Sequence, residues 1–138
     1  MKKYLVDTNV LSELRKAARC DAHVAKWAQA TAPEAIFTSV LVLGEIRRGV
    51  ERLRRKDPAQ SKVLARWLEQ VRRAFAGRVL PVSEEVAEDW GRHDVPDVRP
   101  AVDGLLAATA RVHGLTLVTR NAADFSGAQM SVLNPFKS

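Results

Sequence analysis

Tyr4-Leu5-Val6-Asp7-Thr8-Asn9-Val10-Leu11 is the stretch whose reading decides the fold. Tyr4 to Val6 is a short apolar run that reads as a buried strand, and it stops on a carboxylate. The period then changes. Thr8 or Asn9 can cap a helix running to about Lys16, with Val10, Leu11 and Leu14 on one face. A buried strand feeding directly into a helix is the opening unit of a sheet covered by helices.

Outward from this unit the alternation continues. Asp21 can cap a helix over 22–30, with Val24, Trp27 and Ala28 on one stripe, and 35–38 reads as a second strand. Ser39 opens a long helix over 40–56, stopped by Asp57-Pro58, and a second follows over 59–75, closed by Gly77. Residues 78–82 form a third strand, where Pro81 favours an edge position. Ser83 caps a helix to about Arg92, 94–100 is a loop with two prolines, and 101–113 is helical with Gly114 at its stop. Residues 115–118 make a fourth strand and 131–133 a fifth. Strands separated by helices of this length imply right-handed crossovers. The expected fold class is α/β: one domain over 1–138 with a central, mostly parallel sheet of four to five strands covered by helices.

Composition narrows the class. The chain has 138 residues, 46% hydrophobic and 28% charged, as expected of a globular protein and not of a disordered or fibrous one. Its one cysteine, Cys20, excludes an internal disulfide framework and suits a reducing cytosol. Met1-Lys2-Lys3 resembles the start of a signal peptide, but the apolar stretch ends at Asp7, and no run approaches the ~18 apolar residues of a membrane span. A cytoplasmic protein is expected, without a membrane partner.

Charge is unevenly spread. The net charge is +6, yet 47–78 alone holds eleven basic residues against three acidic ones. Such asymmetry suits a nucleic acid or another acidic partner, and equally a solvated helical face. Trp27, Trp67 and Trp90 fall among apolar neighbours at helical spacings, which favours core or dimer packing over base stacking.

Three acids stand where the pattern calls for apolar residues. Asp7 ends the first strand, Glu45 interrupts Val40-Leu41-Val42-Leu43-Gly44-Glu45-Ile46 one turn after Leu41, and Asp103 interrupts Ala101-Val102-Asp103-Gly104-Leu105-Leu106. Burying a carboxylate costs several kcal/mol unless something positive compensates it. Each acid alone is accounted for by a distant arginine or a helix cap, and Asp103 stands near enough to a helix start for the latter. Three together favour convergence on a divalent cation, which hard oxygen ligands hold. Parallel strands bind ligands at their carboxyl ends, where Asp7 lies and where Thr119-Arg120-Asn121 follows the fourth strand, with Asp124 one turn further. His23, His93 and His113 lack ligand spacing, and Cys20 lacks a partner, so thiol and imidazole chemistry is disfavoured. Oxygen ligands around Mg2+ or Mn2+, beside a basic surface, point to hydrolysis of a phosphodiester, with one ion or two.

The ordered set Asp7-Thr8-Asn9-Val10-Leu11-Ser12-Glu13, Glu45, Asp103, Val118-Thr119-Arg120-Asn121 and Asp124-Phe125 resembles the PIN-domain ribonucleases, and among them the VapC toxins of toxin–antitoxin pairs, including FitB-like members. The resemblance spans nearly the whole chain. It implies that Asp7, Glu45 and Asp103 form a triad binding Mg2+ or Mn2+ and orienting the attacking water. It implies that Thr119 steadies the site and that Asn9 braces the acids. Many relatives carry Asp where this chain has Asn121; Asp124 is then the candidate fourth acid and Asn121 its alternative. The same resemblance implies a homodimer lining a basic groove for RNA, and a VapB-type antitoxin that places a C-terminal segment against the acids. Arg47, Arg48, Arg52 and Arg55 are candidates for RNA phosphate contact.

Two other readings compete. A PIN fold serving only as a protein- or RNA-binding module would be expected to have lost triad acids, and all three are present. A haloacid-dehalogenase phosphatase also places an Asp after its first strand, but it needs a second Asp two residues on, where Asn9 stands.

Overall fold

The computed structural model describes residues 1–137. Five strands, β1 (Tyr4–Val6), β2 (Ile36–Ser39), β3 (Val79–Leu80), β4 (Thr116–Val118) and β5 (Val132–Leu133), pair in parallel in the order β3-β2-β1-β4-β5. The chain moves outward from β1 to β2 and β3 on one side, then crosses to β4 and β5 on the other. The order reverses between β1 and β4, where Val6 lies opposite Val118, and in parallel α/β sheets the carboxyl ends at such a reversal are where ligands bind. The short strands of the sequence reading are all present, with their ends shifted by a residue or two. β3 lies at the edge, as Pro81 requires.

Six helices cover the sheet: α1 (Thr8–Leu14), α2 (Ala22–Gln29), α3 (Val40–Lys56), α4 (Pro58–Ala74), α5 (Glu84–His93) and α6 (Ala101–His113). Their bounds follow the punctuation of the sequence. Ser39 caps α3 through Leu41 N, Asp57 both ends α3 and caps α4 through Gln60 N, and Ser83 caps α5 through Val86 N. Gly114 ends α6 in the left-handed region at φ 65°, which an unbranched Cα accommodates.

Two capping expectations are corrected. The cap of α1 is neither Thr8 nor Asn9 but Asp7, whose carboxylate accepts from Thr8 N, and α1 ends at Leu14, giving way to a 3-10 turn over Ala17–Arg19. Asp103 caps nothing: the N-cap position of α6 is Pro100, and Asp103 sits within the first turn.

The central strands are the driest part of the molecule. Leu5, Val6, Leu117 and Val118 are fully buried, with Val42 and Ile46 of α3, Leu68 of α4 and Leu106 and Ala107 of α6 packed in one cluster with them. Trp27 and Trp67 pack at the margin of this core; Trp27 meets the Tyr4 ring edge-on at 5.5 Å, and the Arg15 guanidinium lies over the Trp67 ring. Trp90 fills the space beside Gly104, where an added Cβ would stand 2.9 Å from the indole. Ser61 donates to the Val50 carbonyl at 2.8 Å and locks the α3–α4 hairpin. Among the described residues, no helix is long and apolar enough to cross a membrane.

Candidate active site

Asp7 directly follows β1 at its carboxyl end, and its backbone amide donates to the Val118 carbonyl of β4. Its carboxylate is held by three partners. The Thr8 amide donates at 2.8 Å, the Thr119 hydroxyl at 2.8 Å, and the Asn9 side-chain amide makes a longer contact at 3.5 Å. Asn9 also donates to Thr119 Oγ1 at 3.2 Å and accepts from the Arg120 amide at 3.0 Å, so it laces the end of β1 to the end of β4. Burial raises the Asp7 carboxyl above its ordinary value, and the bonds from Thr119 and Thr8 oppose that rise.

Glu45 comes from α3, and its position departs from the sequence expectation. The stripe facing the core is Val42, Ile46 and Val50, so Glu45 flanks the buried stripe and is half-buried rather than enclosed. Its Oε1 accepts from the Thr8 hydroxyl at 2.7 Å. Its carboxyl is raised first by burial and then by the charges of Asp7 and Asp103, against the Thr8 bond and the nearby Arg48. Asp103, in the first turn of α6, is likewise half-buried. Burial raises its carboxyl, the charges of Asp7 and Asp124 add to that, and Arg99 opposes it. Of the three acids, only Asp7 is buried.

Mutual repulsion therefore ties Asp7, Glu45, Asp103 and Asp124 into one electrostatic group. Asp124 is exposed, in the 3-10 turn Ala122–Phe125 that follows β4. Asn121 is exposed as well, and its backbone amide donates to Thr119 Oγ1 at 3.2 Å. Among the described residues, no three His, Cys, Asp or Glu side chains stand so that they could hold a metal ion as they are placed. In donor type the group nevertheless fits a hard cation: it is all carboxylate and self-repelling, with only Arg48 and Arg99 opposing its charge.

The structure supplies three participants that the sequence reading passed over. Thr8 was read only as a helix cap, and nothing local shows that its hydroxyl meets a carboxylate 37 residues away. Arg99 lies four residues before Asp103, a spacing that hints at a charge pair. Its guanidinium reaches the carbonyls of Asp124 at 3.4 Å and Ser126 at 2.7 Å, holding the turn that carries Asp124. Arg120 was read only as part of the rim. Of the four basic candidates on α3, all exposed, Arg48 acts on Glu45, while Arg52 and Arg55 run away from the acids. At the helical rise, Arg55 lies about 15 Å beyond Glu45 along the axis.

Comparison with known proteins bears on the fold and the family. A family model described as PIN domain matches residues 4–128. The chain is 34% identical to Toxin FitB of Neisseria gonorrhoeae, with 96% of this chain and 97% of that one aligned. It is 30% identical to VapC ribonuclease Y4jK of Sinorhizobium fredii over 96% and 97% of the two chains. Among solved structures, FitAcB from Neisseria gonorrhoeae superposes with a TM-score of 0.86 at 33% identity, covering 98% of this chain and 99% of that one. A second, FitAB bound to a DNA fragment, gives 0.85 at 32% identity over 98% and 96%.

Proposed function

The chain belongs to the PIN-domain family, among its FitB and VapC toxins, and on that footing we propose that it is the ribonuclease toxin of a toxin–antitoxin pair, acting in the cytoplasm. The observation that supports the reading is the mutual charge effect among Asp7, Glu45, Asp103 and Asp124, with Asp7 at the carboxyl end of β1 and Asp124 in the turn after β4.

Asp7, Glu45, Asp103 and Asp124 are the residues that would hold Mg2+ or Mn2+, whose chemistry there is to polarise a phosphoryl oxygen and lower the pKa of an attacking water. The remaining work falls to the chain itself. Thr119 and Asn9 hold the Asp7 carboxylate at one orientation, and Thr8 does the same for Glu45, so neither acid must be ordered when substrate arrives. Glu45, with one oxygen engaged by Thr8, would help orient the attacking water. Asn121 supports Thr119 through its amide, and Arg47, Arg48, Arg52 and Arg55 offer phosphate contacts along α3.

The same reading implies a homodimer and a VapB-type antitoxin whose C-terminal segment lies over the acids. A non-catalytic PIN module that binds protein or RNA is the competing reading, favoured by one observation: the acids are not gathered into a ready set of ligands.

Cleavage of transfer and ribosomal RNA by the purified chain, freed of any copurified antitoxin, separates the two. Cutting with Mn2+ or Mg2+ that EDTA and Asp103→Asn each abolish establishes the ribonuclease. Intact RNA, together with no calorimetric signal for either ion, establishes the module.

A further inference from the structure

Arg120 follows Thr119 at the end of β4, so its backbone belongs to the same rim as the acids. That backbone is held from both sides: its amide donates to Asn9 Oδ1 at 3.0 Å, and its carbonyl accepts from Asn134 Nδ2 at 3.2 Å. Asn134 Oδ1 in turn accepts from the Phe136 amide at 2.9 Å, which places the Phe136 ring under the Arg120 guanidinium, 4.6 Å from ring centroid to Cζ. Asn9, through which Arg120 is tied to the site, itself contacts Asp7 and Thr119.

The backbone of Arg120 shares this rim, but its guanidinium turns onto Phe136 and is not among the charges acting on Asp7, Glu45 or Asp103. Among the described residues Arg120 forms no ion pair. The ring takes one face of the guanidinium and leaves its in-plane N–H edge uncommitted on an exposed side chain. A planar fork of donors held by stacking suits the two free oxygens of a phosphodiester, and little side-chain freedom is lost when it engages. Unpaired RNA also exposes its bases, which stack on guanidinium planes and aromatic rings, so the open face of a stacked arginine–aromatic pair suits a single strand.

We propose that Arg120 is a phosphate clamp for single-stranded RNA, gripping a phosphate next to the one that is cut, with Phe136 as its rigid backing. The proposal rests on the ribonuclease reading and adds a substrate-binding residue to it. It differs from the α3 arginines in that its backbone is hydrogen-bonded to Asn9, a partner of both Asp7 and Thr119.

Binding of a short fluorescein-labelled single-stranded RNA of mixed sequence, followed by anisotropy in EDTA across a salt series, tests the clamp without cleavage. Arg120→Met is expected to weaken binding about fivefold and to flatten the log–log salt dependence by about 0.7, the share of one single-strand phosphate contact. Arg120→Lys keeps the slope while losing part of the affinity, because a point charge replaces a fork. Phe136→Leu gives an intermediate loss of affinity with the salt slope kept, and its Tm is read alongside because Phe136 also packs against the core. In metal-supported cleavage, Arg120→Met raises KM by a larger factor than it lowers kcat. A merely structural role would lower Tm and the active fraction and leave the salt slope alone, which overturns the clamp. Wild-type affinity and slope in Arg120→Met overturn it too, while leaving the ribonuclease reading intact. A wild-type chain that neither binds nor cuts RNA overturns both.

Discussion

The Thr8 hydroxyl donates to Glu45 Oε1 at 2.7 Å, so the first residue after Asp7 holds the acid that α3 contributes. One short segment thus manages two carboxylates: the Thr8 amide serves Asp7 and the Thr8 hydroxyl serves Glu45. Thr8→Val keeps the shape and removes the hydroxyl. On the ribonuclease reading it is expected to lower RNA cleavage about 10- to 100-fold, at a stability cost of about 1–2 kcal/mol. Thr8→Ser, which keeps the donor, restores most of the rate. Cleavage assays paired with urea unfolding read both effects.

Asp7→Asn tests the burial of the first acid through pH. The folded Asp7 carboxyl is raised above its ordinary value of 3.8, so its charge opposes folding at neutral pH. That opposition is relieved as pH falls from the raised value towards 3.8, because the folded state takes up the proton first. Without metal, Asp7→Asn is therefore expected to melt above the wild type at pH 7, and the gap closes once the medium is acid enough to protonate Asp7 in both states. Each unit of difference between folded and unfolded pKa corresponds to about 1.4 kcal/mol. Scanning calorimetry across pH, in EDTA, gives the sign directly. A large loss of Tm at pH 7 would contradict the placement of Asp7.

Glu13 responds to pH in the opposite direction. Its carboxylate accepts from the Asp21 amide at 2.8 Å and from Lys16 Nζ at 3.0 Å, tying the end of α1 to the start of α2. The Asp21 bond, followed by the Lys16 bond, holds the carboxyl below its ordinary 4.5. Its stabilising effect is complete above 4.5 and disappears as pH falls through the lower folded value. Glu13→Gln should melt below the wild type at pH 7 and with it in strong acid. Parallel melts of the two proteins across that range check this.

Gly104 follows Asp103 on the side of α6 that meets Trp90. A Cβ there would lie 2.9 Å from two atoms of the indole, a half-buried ring whose Nε1 is itself fully buried. Gly104→Ala is expected to cost about 1–3 kcal/mol by overpacking, although alanine favours helix, and to lower cleavage by displacing the first turn of α6. Trp90→Phe in the same chain should recover part of the lost stability. Chemical denaturation of the single and double variants measures the coupling.

Much of the fold was legible because local chemistry marks its own boundaries. Ser39, Asp57, Ser83 and Gly114 end or begin helices through bonds or φ values that depend on one residue type and its nearest neighbours. The two misjudged caps share a cause. In the sequence Asp7 reads as the end of a strand and Asp103 as near enough to a helix start to cap it, whereas the choice of cap depends on φ and ψ, which residue types alone do not give.

The sequence by itself determined the alternation of strands and helices, the parallel sheet, and the presence of Asp7, Glu45 and Asp103 in otherwise apolar stretches, since period and polarity are local properties. Tertiary structure alone decided how far each acid is buried, that Thr8 serves Glu45, that Arg99 holds the turn bearing Asp124, and that Arg120 rests on Phe136. These are contacts between residues far apart in the chain. They exist only once β1 and β4 lie side by side and α3 and α6 have docked across them, because hydrogen bonds and charge effects depend on distances that sequence separation does not encode.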